Sequence, residues 1–228
     1  MTRRRFVLAL IGALIASLSS LSGLLVWGAF LPAVWATGRA RAGGWVAVAL
    51  ALGVPYFIGF PGGSAGARSP VQTVSYGLAY LGAPIGYVIL PLAVAFGVLG
   101  LVLMVAALFV LWRVQPKRVG DRLPELAWTG LALFGVGCAG LAALGRTMDF
   151  GVRGALGTRY HAFTSLWWVA LMVLAGLAAT RLEAALPSFA APNAARARWA
   201  VRAGATVLAL ARGGLLAANL VGFYHSIK

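Results

Sequence analysis

Residues 71–112 read VQTVSYGLAYLGAPIGYVILPLAVAFGVLGLVLMVAALFVLW, 42 positions without an Asp, Glu, Lys or Arg. How often this stretch crosses a bilayer decides the architecture of the whole chain. One helical crossing takes about 20 apolar residues, so 71–112 is too long for one pass and just long enough for two. Pro84 and Pro91 mark the expected break, because proline lacks an amide donor and interrupts the helical ladder.

Outward from this stretch, further apolar runs lie at 6–35, 45–60, 126–144, 162–180 and 203–223. The run at 45–60 is short for a span and contains Pro55. Short cytoplasmic loops are enriched in Lys and Arg, and that bias separates the alternatives. If 71–112 crosses once, six spans place 8 basic residues on the amino-terminal side and 10 on the other. If it crosses twice, seven spans place 12 and 6. Arg212, inside the last run, belongs to neither set. A re-entrant segment at 74–90 restores the six-span orientation and is disfavoured by the same bias. The expectation is an all-α polytopic transmembrane helical bundle of about seven spans, six being the alternative, with a cytoplasmic amino terminus. Residues 1–228 are read as a single transmembrane domain.

Composition agrees with lipid as the surrounding solvent. Hydrophobic residues make up 61% of the chain, against roughly 45–50% in soluble domains, and the mean hydropathy is +0.91. The formal net charge is +15, but the arginines sit in short loops between apolar runs rather than along one face. Anionic lipid headgroups are therefore the expected partner, and nucleic acid is not. The single Cys138 excludes an intrachain disulfide. The run at 6–35 follows Arg3, Arg4 and Arg5 and is about twice the length of a signal-peptide core, so it reads as one anchored span. Thr2-Arg3-Arg4-Arg5-Phe6-Val7-Leu8 also resembles a twin-arginine export signal. Small residues recur at helix-contact spacing, as in Ser19 with Gly23 and Gly82 with Gly86, and read as packing. Tryptophans such as Trp27, Trp45, Trp112, Trp167 and Trp168 fall near span ends and read as interfacial anchors.

Chemistry-bearing residues concentrate at 145–161, which the seven-span reading makes an outer loop. It carries Arg146, Asp149, Arg153, Arg159, Tyr160 and His161 among glycines. Arginines on the outer side run against the orientation rule. Planar guanidinium groups bind phosphate or carboxylate, and glycines let backbone amides approach an anion. The plainer alternative pairs Asp149 with one arginine while the others reach lipid phosphates. Enzyme chemistry finds little support: Asp121, Glu125, Asp149 and Glu183 are scattered, so no paired carboxylates are visible. A retinal Schiff base lacks a mid-membrane lysine, since Lys117 and Lys228 are the only lysines. A haem between His161 and His225 is geometrically conceivable, but interfacial histidines have a simpler reading; no cofactor and no metal are expected. Arg212 has no acidic partner at its depth and is expected to face inward or toward a partner.

At Gly145-Arg146, Gly151, Ala155-Leu156 and Arg159-Tyr160, followed by Ser165-Leu166-Trp167-Trp168, the chain resembles a group of uncharacterised multi-spanning bacterial membrane proteins. The likeness covers 79–179, including Leu81-Gly82-Ala83-Pro84. It implies a multi-pass protein of the bacterial inner (cytoplasmic) membrane with a suspect loop at 145–161, and no reaction. The expected function is non-catalytic binding of an anionic or lipid-linked ligand at Arg146, Arg153, Arg159, Tyr160 and His161, or service as a subunit beside other membrane proteins. Transport of such a ligand is the alternative. A membrane-embedded enzyme using Arg146, Arg159 and His161 is the third reading.

Overall fold

A computed structural model describes residues 2–58, 69–86, 89–114, 122–157 and 161–185. Every element among them is helical: α1 (Arg3–Ser19), a 3-10 turn (Leu21–Leu24) leading into α2 (Leu25–Ala29), α3 (Leu31–Trp35), α4 (Arg39–Ile58), α5 (Pro70–Gly86), α6 (Leu90–Arg113), α7 (Leu123–Phe150), a 3-10 turn (Val152–Leu156) and α8 (His161–Ala185). Three helices are long and apolar enough to cross a membrane, within Leu90–Arg113, Leu123–Thr147 and Ala162–Ala185. At 1.5 Å per residue each exceeds the roughly 30 Å hydrocarbon thickness.

The 71–112 stretch doubles back as an antiparallel helical hairpin. Helix α5 ends two residues after Pro84, and α6 carries Pro91 in its first turn, where the missing amide donor has no intrahelical partner to lose. The two backbones nearly touch. A Cβ placed on Gly82 would lie 1.8 Å from the Ala93 carbonyl oxygen, and one on Gly97 would lie 2.0 Å from that of Leu78. Close approach through small residues substitutes for the hydrophobic drive that lipid removes between helices.

The 6–35 run does not form the single span that its length suggests. It breaks at Ser20, whose backbone is extended at φ −165 and ψ 157, and the arm from Leu21 to Trp35 returns along α1. Serines cause the break. Ser17 Oγ and Ser19 Oγ donate to the carbonyls four residues earlier, and Ser20 Oγ accepts from the Gly23 amide. Such side-chain bonds compete with the helical ladder. The return is then locked: a Cβ on Gly23 would meet the Ala16 carbonyl oxygen at 1.8 Å, and Trp27 Nε1 donates to Ser17 Oγ at 2.7 Å. Helix α4 turns back again after Gly38, and Trp45 Nε1 donates to the Trp27 carbonyl at 2.8 Å. Arg5, Arg39 and Arg41 therefore lie at one end of this unit, whereas the sequence reading separates Arg5 from the other two by a membrane.

Helix α7 is the spine. Its Gly130 faces Ala29 and Phe30, and Gly137 faces Leu25, so it runs antiparallel to the 21–35 arm. On its other side Trp167 of α8 fills a slot: a Cβ on Gly135 would lie 2.6 Å from the Trp167 Cβ, and one on Gly100 of α6 2.4 Å from its ring. Trp168 Nε1 donates to the Leu81 carbonyl at 2.8 Å. Trp27, Trp45, Trp167 and Trp168 are thus buried packing elements, and only Trp35 and Trp112 of the seven described tryptophans are strongly exposed. Arg113 stacks over Phe109 and Trp112 at the end of α6, as a cation reaching from apolar surface toward headgroups does.

Candidate functional site

The carboxyl end of α7 is where the suspect segment folds. The sequence reading starts a loop at Gly145, but the helix continues through Phe150. Two local causes extend it. Thr147 Oγ1 donates to the Ala143 carbonyl, and the Gly151 amide donates to the Thr147 carbonyl at 3.0 Å, so the last turn leaves fewer carbonyls bare at the membrane edge. Reversal comes at Gly151, at φ 59 and ψ −176, a conformation essentially restricted to glycine. The chain then folds back on itself. A Cβ on Gly154 would lie 2.4 Å from the Phe150 Cβ and 3.7 Å from the Tyr76 ring, and Ala155 is fully buried. Val152–Leu156 is therefore a short 3-10 turn packed on α5 rather than part of an extended loop.

Of the five sequence-selected ligand residues, Arg146 lies half-buried on α7 and is engaged within the protein. Arg153 is exposed on the 3-10 turn. The two flank Gly151, five residues before it and two after. Arg159 and Tyr160 lie outside the described residues, as do Arg212 and His225. His161 opens α8; its backbone alone is described. Among the described residues no group of three or more His, Cys, Asp or Glu could hold a metal ion.

Two features at the opposite end of α7 escaped the sequence reading. Glu125, in the first turn of α7, is buried and accepts from Arg181 Nη2 near the end of α8 at 2.5 Å. In the seven-span reading positions 125 and 181 fall at the cytoplasmic ends of neighbouring antiparallel spans, which is the signal for such a pairing. The second feature is a crevice between α1 and α7, invisible in a sequence that reads 6–35 as one straight helix. Compared with family models, curated proteins and solved structures, the chain matches none.

Proposed function

We propose that this chain is a polytopic helical protein of the bacterial inner membrane that binds an anionic or lipid-linked ligand, without catalysis, at 145–161. The observation that supports this reading is the Gly151 reversal: a glycine-only backbone state holds exposed Arg153 just beyond a helix that carries Arg146 at its end. Guanidinium groups from the end of α7 and from the turn just beyond it suit a phosphate or carboxylate, and Arg159 with Tyr160 and His161 complete the set in sequence. Service as a subunit of a membrane complex is compatible with the same ligand. Transport is the second reading. Apart from Arg5 at one end of the second, the described crevices are lined by apolar side chains, which favours binding at the membrane edge over conduction of an anion.

Seven apolar arms are described, α1, the 21–35 arm and α4 to α8, and in this proposal all are membrane-embedded, with α6, α7 and α8 crossing fully. The side of the bundle at which α7 begins, where Arg5, Arg39, Arg41, Arg122 and Arg181 gather, is cytoplasmic, as the enrichment of basic residues requires, and Gly151 faces outward. The test is complementation of a deletion strain with membrane abundance measured in parallel. Arg146→Lys and Arg159→Lys weaken function and Arg159→Ala abolishes it, because a bidentate fork supplies geometry as well as charge. Wild-type behaviour of both lysine variants at normal abundance would show that these arginines touch bulk lipid phosphate only.

A further inference from the structure

The fold-back of the first apolar run leaves a crevice of about 510 Å³ between α1 and α7, within the roughly 300–1,000 Å³ range of small-ligand sites. Its two walls are helical stripes. Arg5, Ala9 and Gly12 stand at successive turns of α1, and Leu123 and Ala127 at successive turns of α7. Val26 and Phe30 of the returning arm form part of the floor. The walls carry small side chains, so the space between them is open, and a Cβ placed on Gly12 meets nothing within 4 Å. Everything deep in the crevice is apolar. The charged lining residue, Arg5, lies in the first turn of α1, at the end where α7 begins.

This is an amphiphile's outline, a long apolar trough with a guanidinium at one end, on a protein whose surrounding solvent supplies such molecules. We infer that the α1–α7 crevice holds one acyl chain of an anionic phospholipid, with its phosphate on Arg5. Charge complementarity selects this occupant. Arg3 and Arg4 precede Arg5, Arg122 precedes the opposing wall, no lining residue is acidic, and of the two acids nearest that wall in sequence, Asp121 and Glu125, the second is taken by Arg181. A zwitterionic lipid offers the same chain but a weaker headgroup match.

The crevice is distinct from 145–161. Leu123 and Arg146 are 23 residues apart on one helix, roughly 35 Å along its axis, so the two regions occupy opposite ends of α7. The inference adds a lipid site at the amino end and does not depend on the ligand proposed at the other.

The test uses the full chain purified in mild detergent, incubated with phosphatidylglycerol or phosphatidylcholine of identical acyl chains, with bound phospholipid counted by native mass spectrometry. Wild type retains one phosphatidylglycerol in preference to phosphatidylcholine by about tenfold, because both lipids offer a phosphate to Arg5 but the choline cation of the second cancels the net charge that attracts it to the basic end of the crevice. Arg5→Gln removes the preference while either lipid still enters. Gly12→Trp and Ala127→Phe, which fill the trough from opposite walls, lower retention of both lipids while thermal unfolding stays as in wild type. Arg146→Ala and Arg153→Ala leave this retention unchanged, so failure of one site does not register as failure of the other. Equal retention of the two lipids by wild type, or unaltered retention in both filled variants, overturns the inference. So does crosslinking of Gly12→Cys, in a Cys138→Ser background, either to Leu208→Cys of the same chain or to a second copy, since the trough is then occupied by protein.

Discussion

Trp167 shows how a glycine-rich membrane protein builds a specific core. Its indole is fully buried in a slot that exists because Gly100 and Gly135 lack side chains, and its ring meets Trp168 edge-on at 5.1 Å between centroids, a geometry favoured by the aromatic quadrupole. A methyl group at either glycine would already sit inside the ring's van der Waals surface. Gly135→Leu therefore overpacks the α6–α7–α8 junction and costs about 1–3 kcal/mol, read as a lowered thermal unfolding temperature in detergent. Gly140→Leu on the same helix, where a Cβ meets nothing within 4 Å, is the matched control and leaves that temperature unchanged. Equal effects of the two substitutions would mean that helix propensity, not the tryptophan slot, governs α7.

At the scale of elements, the unit to test is the hairpin made by α1 and the 21–35 arm. Its closure rests on Gly23 lying against Ala16, and Ala13, at 2% exposure, is sealed by it. In a Cys138→Ser background, Ala13→Cys is protected from a membrane-permeant maleimide. Adding Gly23→Leu exposes it, because the new side chain cannot coexist with the Ala16 carbonyl. Gly28→Leu, in open space, keeps the protection. If Gly23→Leu leaves Ala13→Cys unreactive, the arms are held by something other than this contact. The sequence offered Gly23 in a small-residue pair with Ser19, read as packing, whereas the contact that closes the hairpin is with Ala16. Nothing local revealed that the partner lay on the same run, since four serines in the six positions 17–22 are weak helix breakers that tertiary contacts can override.

For the whole molecule, the grouping of Arg5, Arg39, Arg41, Arg122 and Arg181 at one end of α7 sets an expected labelling pattern. Thr158→Cys reacts with an impermeant reagent added to intact cells, while Gln115→Cys and Ala194→Cys do not. Thr37→Cys also stays unlabelled, whereas a first run crossing once would expose it; its labelling would restore that reading. What the sequence by itself determined is the class of the molecule and the hairpin at 71–112. Apolar length against bilayer thickness is a one-dimensional quantity, and the prolines mark the break along the chain. The same reasoning found the glycines and arginines around Gly151 without finding their arrangement. Only the tertiary structure decided that 6–35 folds in two, that α7 persists to Phe150, that Glu125 meets Arg181 and that α1 and α7 enclose a crevice. Each of these depends on which surfaces meet across distant positions, and in lipid that is settled by close packing of small residues and by satisfying backbone and charged groups, neither of which hydropathy along the chain records.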